Sequence, residues 1–226
     1  MNKMAQDLGV KLHLDDRETI EIKAAIISYS KMLLEENTKT VYNKAVNEEA
    51  ILTKDITETT KSVGAYNEGL DFRLKSYDSL KRKIRSDYLQ TKLYNPNITL
   101  SDIAKQINDA NRYTAILNVD NFVEQYRIIN EALEEKGYKI IKSKNTFKLT
   151  NVTYKGINNV YESPKGVRFE LQFHTKESFN VKDKINRKLY EEQRLPECTE
   201  ERKKELEAMM IENTNKLTIP KDIDKI

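Results

Sequence analysis

Glu170, Gln172 and His174 alternate with Phe169, Leu171 and Phe173 along one short run, Phe169-Glu170-Leu171-Gln172-Phe173-His174-Thr175. Residues two apart share a face of a strand, so a carboxylate, an amide and an imidazole would line one side and three large apolar groups the other. Such a row can hold a metal ion and a polar ligand. A solvated face of an antiparallel sheet carries the same alternation, and the run alone does not separate the two readings.

A second constellation lies upstream. Arg73-Leu74-Lys75-Ser76-Tyr77-Asp78-Ser79-Leu80-Lys81-Arg82-Lys83 packs five cations and two serines into eleven residues. Ordinary surface charges at a helix start would look the same. The functional alternative is a polyphosphate clamp, with arginine forks, lysine point charges and the donors of a helix N-terminus near Ser79 meeting one anion. Asp109-Ala110-Asn111-Arg112 places an acid and an arginine at the head of a strand. Tyr154-Lys155-Gly156-Ile157-Asn158 joins an aromatic ring, a glycine and an amide in a loop entering another strand. A tyrosine there either packs into the core or stacks on a base.

The elements that must position these groups follow from periodicity. Residues 15 to about 62 read as helix, opening at Asp15-Asp16, with Ile20, Ile22, Ala25, Ile26, Tyr29 and Leu33 at helical spacing and an expected break near Glu36-Asn37-Thr38. Residues 72–75 read as extended. A helix runs from Asp78 or Ser79 to Gln90 with Leu80, Ile84 and Tyr88 on one side, and Thr99 caps a short helix ending by Ile107. Tyr113 to Val119 is a strand, and 122–135 is a helix closed by Gly137. Extended segments follow at 138–145, 147–153 and 157–162, then a turn at Ser163-Pro164-Lys165-Gly166, the strand 167–174, and helices near 180–194 and 199–214. This order predicts an α/β (α+β) fold with a mixed or antiparallel sheet of about five strands, not a doubly wound parallel one. The expected organisation is a helical region over 1–66, a central domain over 67–195 and a helical tail over 196–226.

Composition narrows the function. The 226 residues are 33% charged and 38% hydrophobic, and 39 basic against 36 acidic side chains leave a net charge of +3. That near balance opposes a general nucleic-acid binder and allows a local phosphate pocket. Cys198 is the single cysteine, which excludes an internal disulfide and a cysteine-based zinc site. His13 and His174 are the only histidines, and no glycine-rich phosphate loop, paired-histidine helix or nucleophile elbow occurs. Met1 to Val10 lacks the basic start and apolar core of a signal peptide, and no run is long enough to span a bilayer. The expected location is the cytoplasm, or outside by a route needing no such peptide.

In their order and internal spacing the motifs resemble the synthetase domain of the RelA/SpoT family, over roughly residues 70 to 194. Arg73, Lys75, Ser76, Ser79 and Lys83 match its arginine-x-lysine-serine-x-x-serine-x-x-x-lysine run. Lys144-Asn145 with Phe147 is similar to its lysine-aspartate-tyrosine segment, Tyr154 to Asn158 to its loop ending in leucine-histidine, and Glu170-x-Gln172-x-His174-Thr175 to its glutamate-x-glutamine-x-arginine-threonine strand. The resemblance is strongest to the branch of small or secreted nucleotide pyrophosphokinases and toxin-like domains. Three departures stand out. Ile107 occupies the position of the metal-binding aspartate, with Asp109 two residues on and on the same strand face; Asn158 replaces a histidine; His174 replaces an arginine.

The resemblance implies a nucleotidyltransferase-like fold and transfer of pyrophosphate from ATP to the 3′-hydroxyl of a purine nucleotide, with Mg²⁺ as cofactor. Arg73 and Arg112 would flank the adenine, while Lys75, Ser79, Lys83 and Lys144 hold phosphates. Asp109 and Glu170 would be the catalytic carboxylates and carry the metal. Tyr154 would stack on the acceptor base, with Asn158, Gln172 and His174 orienting its sugar and phosphates. Two alternatives stay open: the 3′ end of a tRNA as acceptor, and a fold that binds nucleotide without turnover.

Overall fold

The computed structural model describes residues 16–226, so Asp15 at the expected helix start and His13 lie outside it. Helix α1 (Asp16–Ser62) runs unbroken for 47 residues, which corrects the expected interruption near Asn37. Polar side chains there bond back into the helix instead of capping a new one. Asn37 Nδ2 donates to the Leu33 carbonyl at 2.8 Å, Thr38 Oγ1 to Leu34 at 2.6 Å and Thr40 Oγ1 to Glu36 at 2.9 Å. Helical spacing also misleads at the start of α1, where Ile20, Ile26 and Tyr29 are exposed. Its buried positions come later, at Ala45, Leu52 and Ile56.

The sheet is mixed and five-stranded, as expected from the order of elements. It contains β1 (Tyr66–Glu68), β2 (Arg112–Leu117), β3 (Lys139–Asn145), β4 (Ile157–Glu162) and β5 (Arg168–Thr175) in the order β1-β2-β5-β4-β3. Only β2 and β5 pair in parallel. β1 was not expected, because three residues are too few to display an alternation. The expected extended segment at 147–153 is instead a folded loop. Thr146 and Gly156 bond each other through N–H to carbonyl at 2.9 Å and N–H to Oγ1 at 3.0 Å, and Lys155 Nζ donates to the carbonyls of Phe147 (3.1 Å) and Leu149. Backbone groups that a ladder would use are thereby satisfied inside the loop.

Tyr113, Phe169, Leu171 and Phe173 fill one side of the sheet and pack with Leu52 and Ile56 of α1 and with Phe122, Ile129 and Leu133 of α4 (Phe122–Glu135). Gly137 closes α4 with a left-handed φ of 86°. Helix α2 (Tyr77–Lys92) starts one or two residues earlier than expected because Ser76 is its cap and accepts from Ser79 N–H. Thr99 caps α3 (Leu100–Lys105) in a capping box with Asp102. Leu80, Ile84, Ile103 and Ile107 form a second apolar cluster. After β5 the chain continues as α5 (Lys176–Asn180), a π turn (Val181–Ile185) and α6 (Asn186–Gln193), then α7 (Glu200–Asn215). No described helix is long and apolar enough to cross a membrane.

Candidate active site

Strand register assembles the polar face. Arg112 lies opposite Glu170, and Thr114 opposite Gln172, across the parallel β2–β5 pair. Gln172 in turn faces Asn158, and Asn158 faces Lys144. Because neighbouring strands keep side-chain parity, Arg112, Glu170, Gln172, His174, Asn158 and Lys144 all belong to one side, opposite the aromatic core. The helical run after β5 returns near this side and encloses a cavity of about 510 Å³ whose walls include Arg112, Thr114, Tyr154, Phe72 and Lys182.

Glu170 lies half-buried on this face. Burial raises its pKa from the ordinary carboxylate value, and the nearby Asp109 acts in the same direction. Gln172 Nε2 donates to Glu170 Oε1 at 2.6 Å, and Arg112 and Lys182 favour its charged form. Asp109 is held to Lys75 Nζ at 3.4 Å through Oδ2, while its other oxygen, Oδ1, is buried with no hydrogen-bond partner. The Arg73–Lys75 segment brings Lys75 there by pairing with the strand head: Lys75 N–H donates to Ala110 at 2.9 Å and Arg112 N–H to Arg73 at 2.7 Å. Two hard-oxygen carboxylates, one with an unspent oxygen, suit a cation such as Mg²⁺ that takes its remaining ligands from phosphates and water. No group of three or more His, Cys, Asp or Glu side chains fit for a metal occurs among the described residues.

Tyr154 belongs to a hydrogen-bonded knot. Its hydroxyl donates to Asn158 Oδ1 at 2.5 Å and lies 2.8 Å from His174 Nε2, while His174 Nδ1 lies 2.9 Å from Ser178 Oγ. The Tyr154 ring meets His174 edge-on at 5.1 Å. Gly156 permits this approach, since a Cβ there would lie 2.7 Å from both His174 Cε1 and the Tyr154 hydroxyl. Gly156→Ala is expected to cost about 1–3 kcal/mol in urea unfolding. A neutral effect would mean that the loop yields without disturbing Tyr154 or His174.

His174 is fully buried, and burial holds its imidazole well below the ordinary value of 6.5, with Lys182 acting the same way. Below about pH 6.5 the unfolded chain binds a proton that the folded chain refuses, so stability present above that pH is lost as pH falls toward the folded value. Denaturation midpoints measured from about pH 7.5 down to about pH 5 should therefore fall more steeply for the parent than for His174→Gln. Parallel slopes would show a freely titrating ring.

Among solved structures, the chain is similar to small alarmone synthetases. Small alarmone synthetase 1 from Bacillus subtilis bound to its product pppGpp is 14% identical, with 83% of this chain and 90% of that chain covered and a TM-score of 0.48. A GTP pyrophosphokinase family protein from Streptococcus pneumoniae is 16% identical, with 83% and 88% covered and a TM-score of 0.47. The complex of the Type VI effector Tas1 with its immunity protein gives 17% identity, 80% and 95% coverage and a TM-score of 0.49. No family model and no curated protein matches the chain.

The remaining motif residues are dispersed around the polar face. Arg73 points to α1, where Nε binds Glu49, and its Nη1 donates at 2.6 Å to the carbonyl of Leu70 in the 3-10 turn just before it. Ser79 accepts from Ser76 and from Arg82 within the first turns of α2, and Lys83 pairs with Asp87 at 3.2 Å. Lys144 is exposed on the edge strand β3. Of the residues named from sequence, Arg112 and Tyr154 line the cavity directly. Sequence reasoning missed Lys182, Thr114, Phe72 and Phe179, which also line it. Nothing in the local spacing of Lys182 distinguishes it from the other lysines of its helical run. Only the path of the chain after β5 brings it inside.

Proposed function

We propose that this chain is a Mg²⁺-dependent pyrophosphokinase that moves the β,γ-pyrophosphate of ATP onto the 3′-hydroxyl of a purine nucleotide. The observation that carries this reading is the convergence of Asp109, Glu170, Lys75 and Arg112, drawn from three separate motifs, around one end of the β2–β5 pair. In this transfer the 3′-oxygen attacks the β-phosphorus, the bond from that phosphorus to the α,β-bridging oxygen breaks, and AMP leaves. Alignment and charge neutralisation do most of the work in such reactions.

Glu170, whose carboxyl is raised by burial, is suited to accept the hydroxyl proton as the new bond forms. Gln172 fixes that carboxylate through its 2.6 Å hydrogen bond. Arg112 and Lys75 offer cations to the phosphate chain, and Tyr154 presents a ring held in place by His174 and Asn158 to the acceptor. Asp109 and Glu170 would hold Mg²⁺, which supplies charge neutralisation on the phosphate oxygens when bound.

The test is incubation with ATP labelled at the γ-phosphate, Mg²⁺ and each nucleotide in turn, with deacylated tRNA as a further arm. Label on a purine nucleotide together with AMP release is the expected result. Label on tRNA alone would move the acceptor to the tRNA 3′ end. Nucleotide binding without transfer to any acceptor would leave a binding protein.

A further inference from the structure

Lys182 sits in the π turn that follows β5, where Asn186 N–H bonds the Val181 carbonyl five residues back. π turns inside α-helices are frequent at functional sites. Its ammonium donates to Gln172 Oε1 at 2.6 Å and lies 5.3 Å from the Phe179 ring centroid. Its direct partners are thus an amide oxygen and a ring face, not a carboxylate. An ammonium has three donors, and the amide takes one.

The charged groups around Lys182 come from every neighbouring element: Arg112 from β2, Glu170 from β5, and Asp183 and Arg187 from its own helical run. Burial first, and then Arg112, push its pKa down to about 8. Lys182, Arg112 and Arg187 all line the same cavity. A partly desolvated cation beside like charges is a costly arrangement that a bound polyanion relieves. His174, at the position where the resembling motif has arginine, is buried, neutral and bonded at both ring nitrogens, so it offers no cation there.

We infer that Lys182 is a further substrate-binding residue, which with Arg112 grips the phosphate groups of a nucleotide in this cavity and supplies the cation that position 174 lacks. The inference rests on the proposed function only in taking the cavity to be a nucleotide site. Gln172 then has two tasks, orienting Glu170 through its amide nitrogen and Lys182 through its amide oxygen.

The probe is inorganic pyrophosphate, titrated calorimetrically into the parent, Lys182→Met and Lys188→Met. Lys188 is exposed on the same helical run and outside the cavity, so its variant carries the same change in net charge. Lys182→Met should weaken pyrophosphate binding by about tenfold or more, and Lys188→Met by less than about twofold. Equal effects of the two substitutions, or no pyrophosphate binding by the parent, would overturn the inference.

If Lys182→Met does not fold, acylation of the parent with an amine-reactive reagent decides the matter. Pyrophosphate should slow modification of Lys182 and leave Lys188 unchanged, and an unaltered Lys182 rate overturns the inference. Failure of the transfer reaction is separable from this result. Binding through Lys182 with no label transferred would sink the proposed function alone, whereas transfer by a protein whose pyrophosphate affinity ignores Lys182 would sink this inference alone.

Discussion

Glu170→Gln should lower kcat for pyrophosphate transfer by about 10²- to 10⁴-fold, the range for losing a positioned acid or base, while the protein stays folded. The amide keeps the size of the side chain and an oxygen able to accept from Gln172, which now bonds Glu170 Oε1 at 2.6 Å. What disappears is the negative charge and the ability to take a proton. Stability should not suffer. The Glu170 carboxyl is raised by burial, so the folded state holds its proton more tightly than the unfolded one. The stability this contributes is full below the unfolded pKa and is lost as pH rises through the raised folded value. At neutral pH, therefore, the glutamine variant should melt at the parent's temperature or above it. A decrease in kcat of less than about tenfold, or 1.4 kcal/mol of barrier, would remove Glu170 from the chemistry.

Phe169→Ala is expected to cost about 3–5 kcal/mol of unfolding free energy, a large share of the roughly 5–15 kcal/mol available to a domain. Phe169 is fully buried, stacks on Tyr161 at 5.3 Å and meets Tyr113 and Tyr138 edge-on at 6.2 and 5.7 Å. Truncation leaves three rings facing a void, and aromatic pairs add to the loss from area alone. Urea unfolding followed by circular dichroism would report it as a lower midpoint at constant slope. A cost under about 1 kcal/mol would mean that the rings collapse onto the gap and that Phe169 is not the centre of the core. Phe169→Leu, which keeps most of the volume, should be far milder.

These two expectations concern neighbouring residues on opposite faces of one strand, and that division is visible in the sequence. Side-chain alternation is a property of the extended backbone, so Phe169, Leu171 and Phe173 against Glu170, Gln172 and His174 can be read without knowing any partner strand. Helix caps are similarly local: Thr99 stands directly before the helix it caps, and Gly137 directly after the one it closes. The mixed five-stranded sheet follows from element order, since a strand, a helix and then several strands leave few ways of covering one apolar face.

Other features depend on contacts that no local window contains. The same alternation fits a metal site and a solvated face, and only the placement of β2 beside β5 sets Arg112 against Glu170 and brings Asp109 near it. Arg73 lies in a run that reads as a phosphate clamp, yet Glu49, 24 residues earlier on α1, takes its guanidinium. His174 reads as a polar ligand group, but α5 covers it with Ser178 and leaves it neutral. The unbroken α1 and the folded loop at 147–153 depend on where backbone and side-chain donors find acceptors in the assembled chain. Lys182 had no signal at all, because an isolated lysine on a helix becomes a cavity cation only through the direction in which the chain leaves β5. Periodicity determines which residues share a face, while long-range burial and strand pairing determine what that face meets.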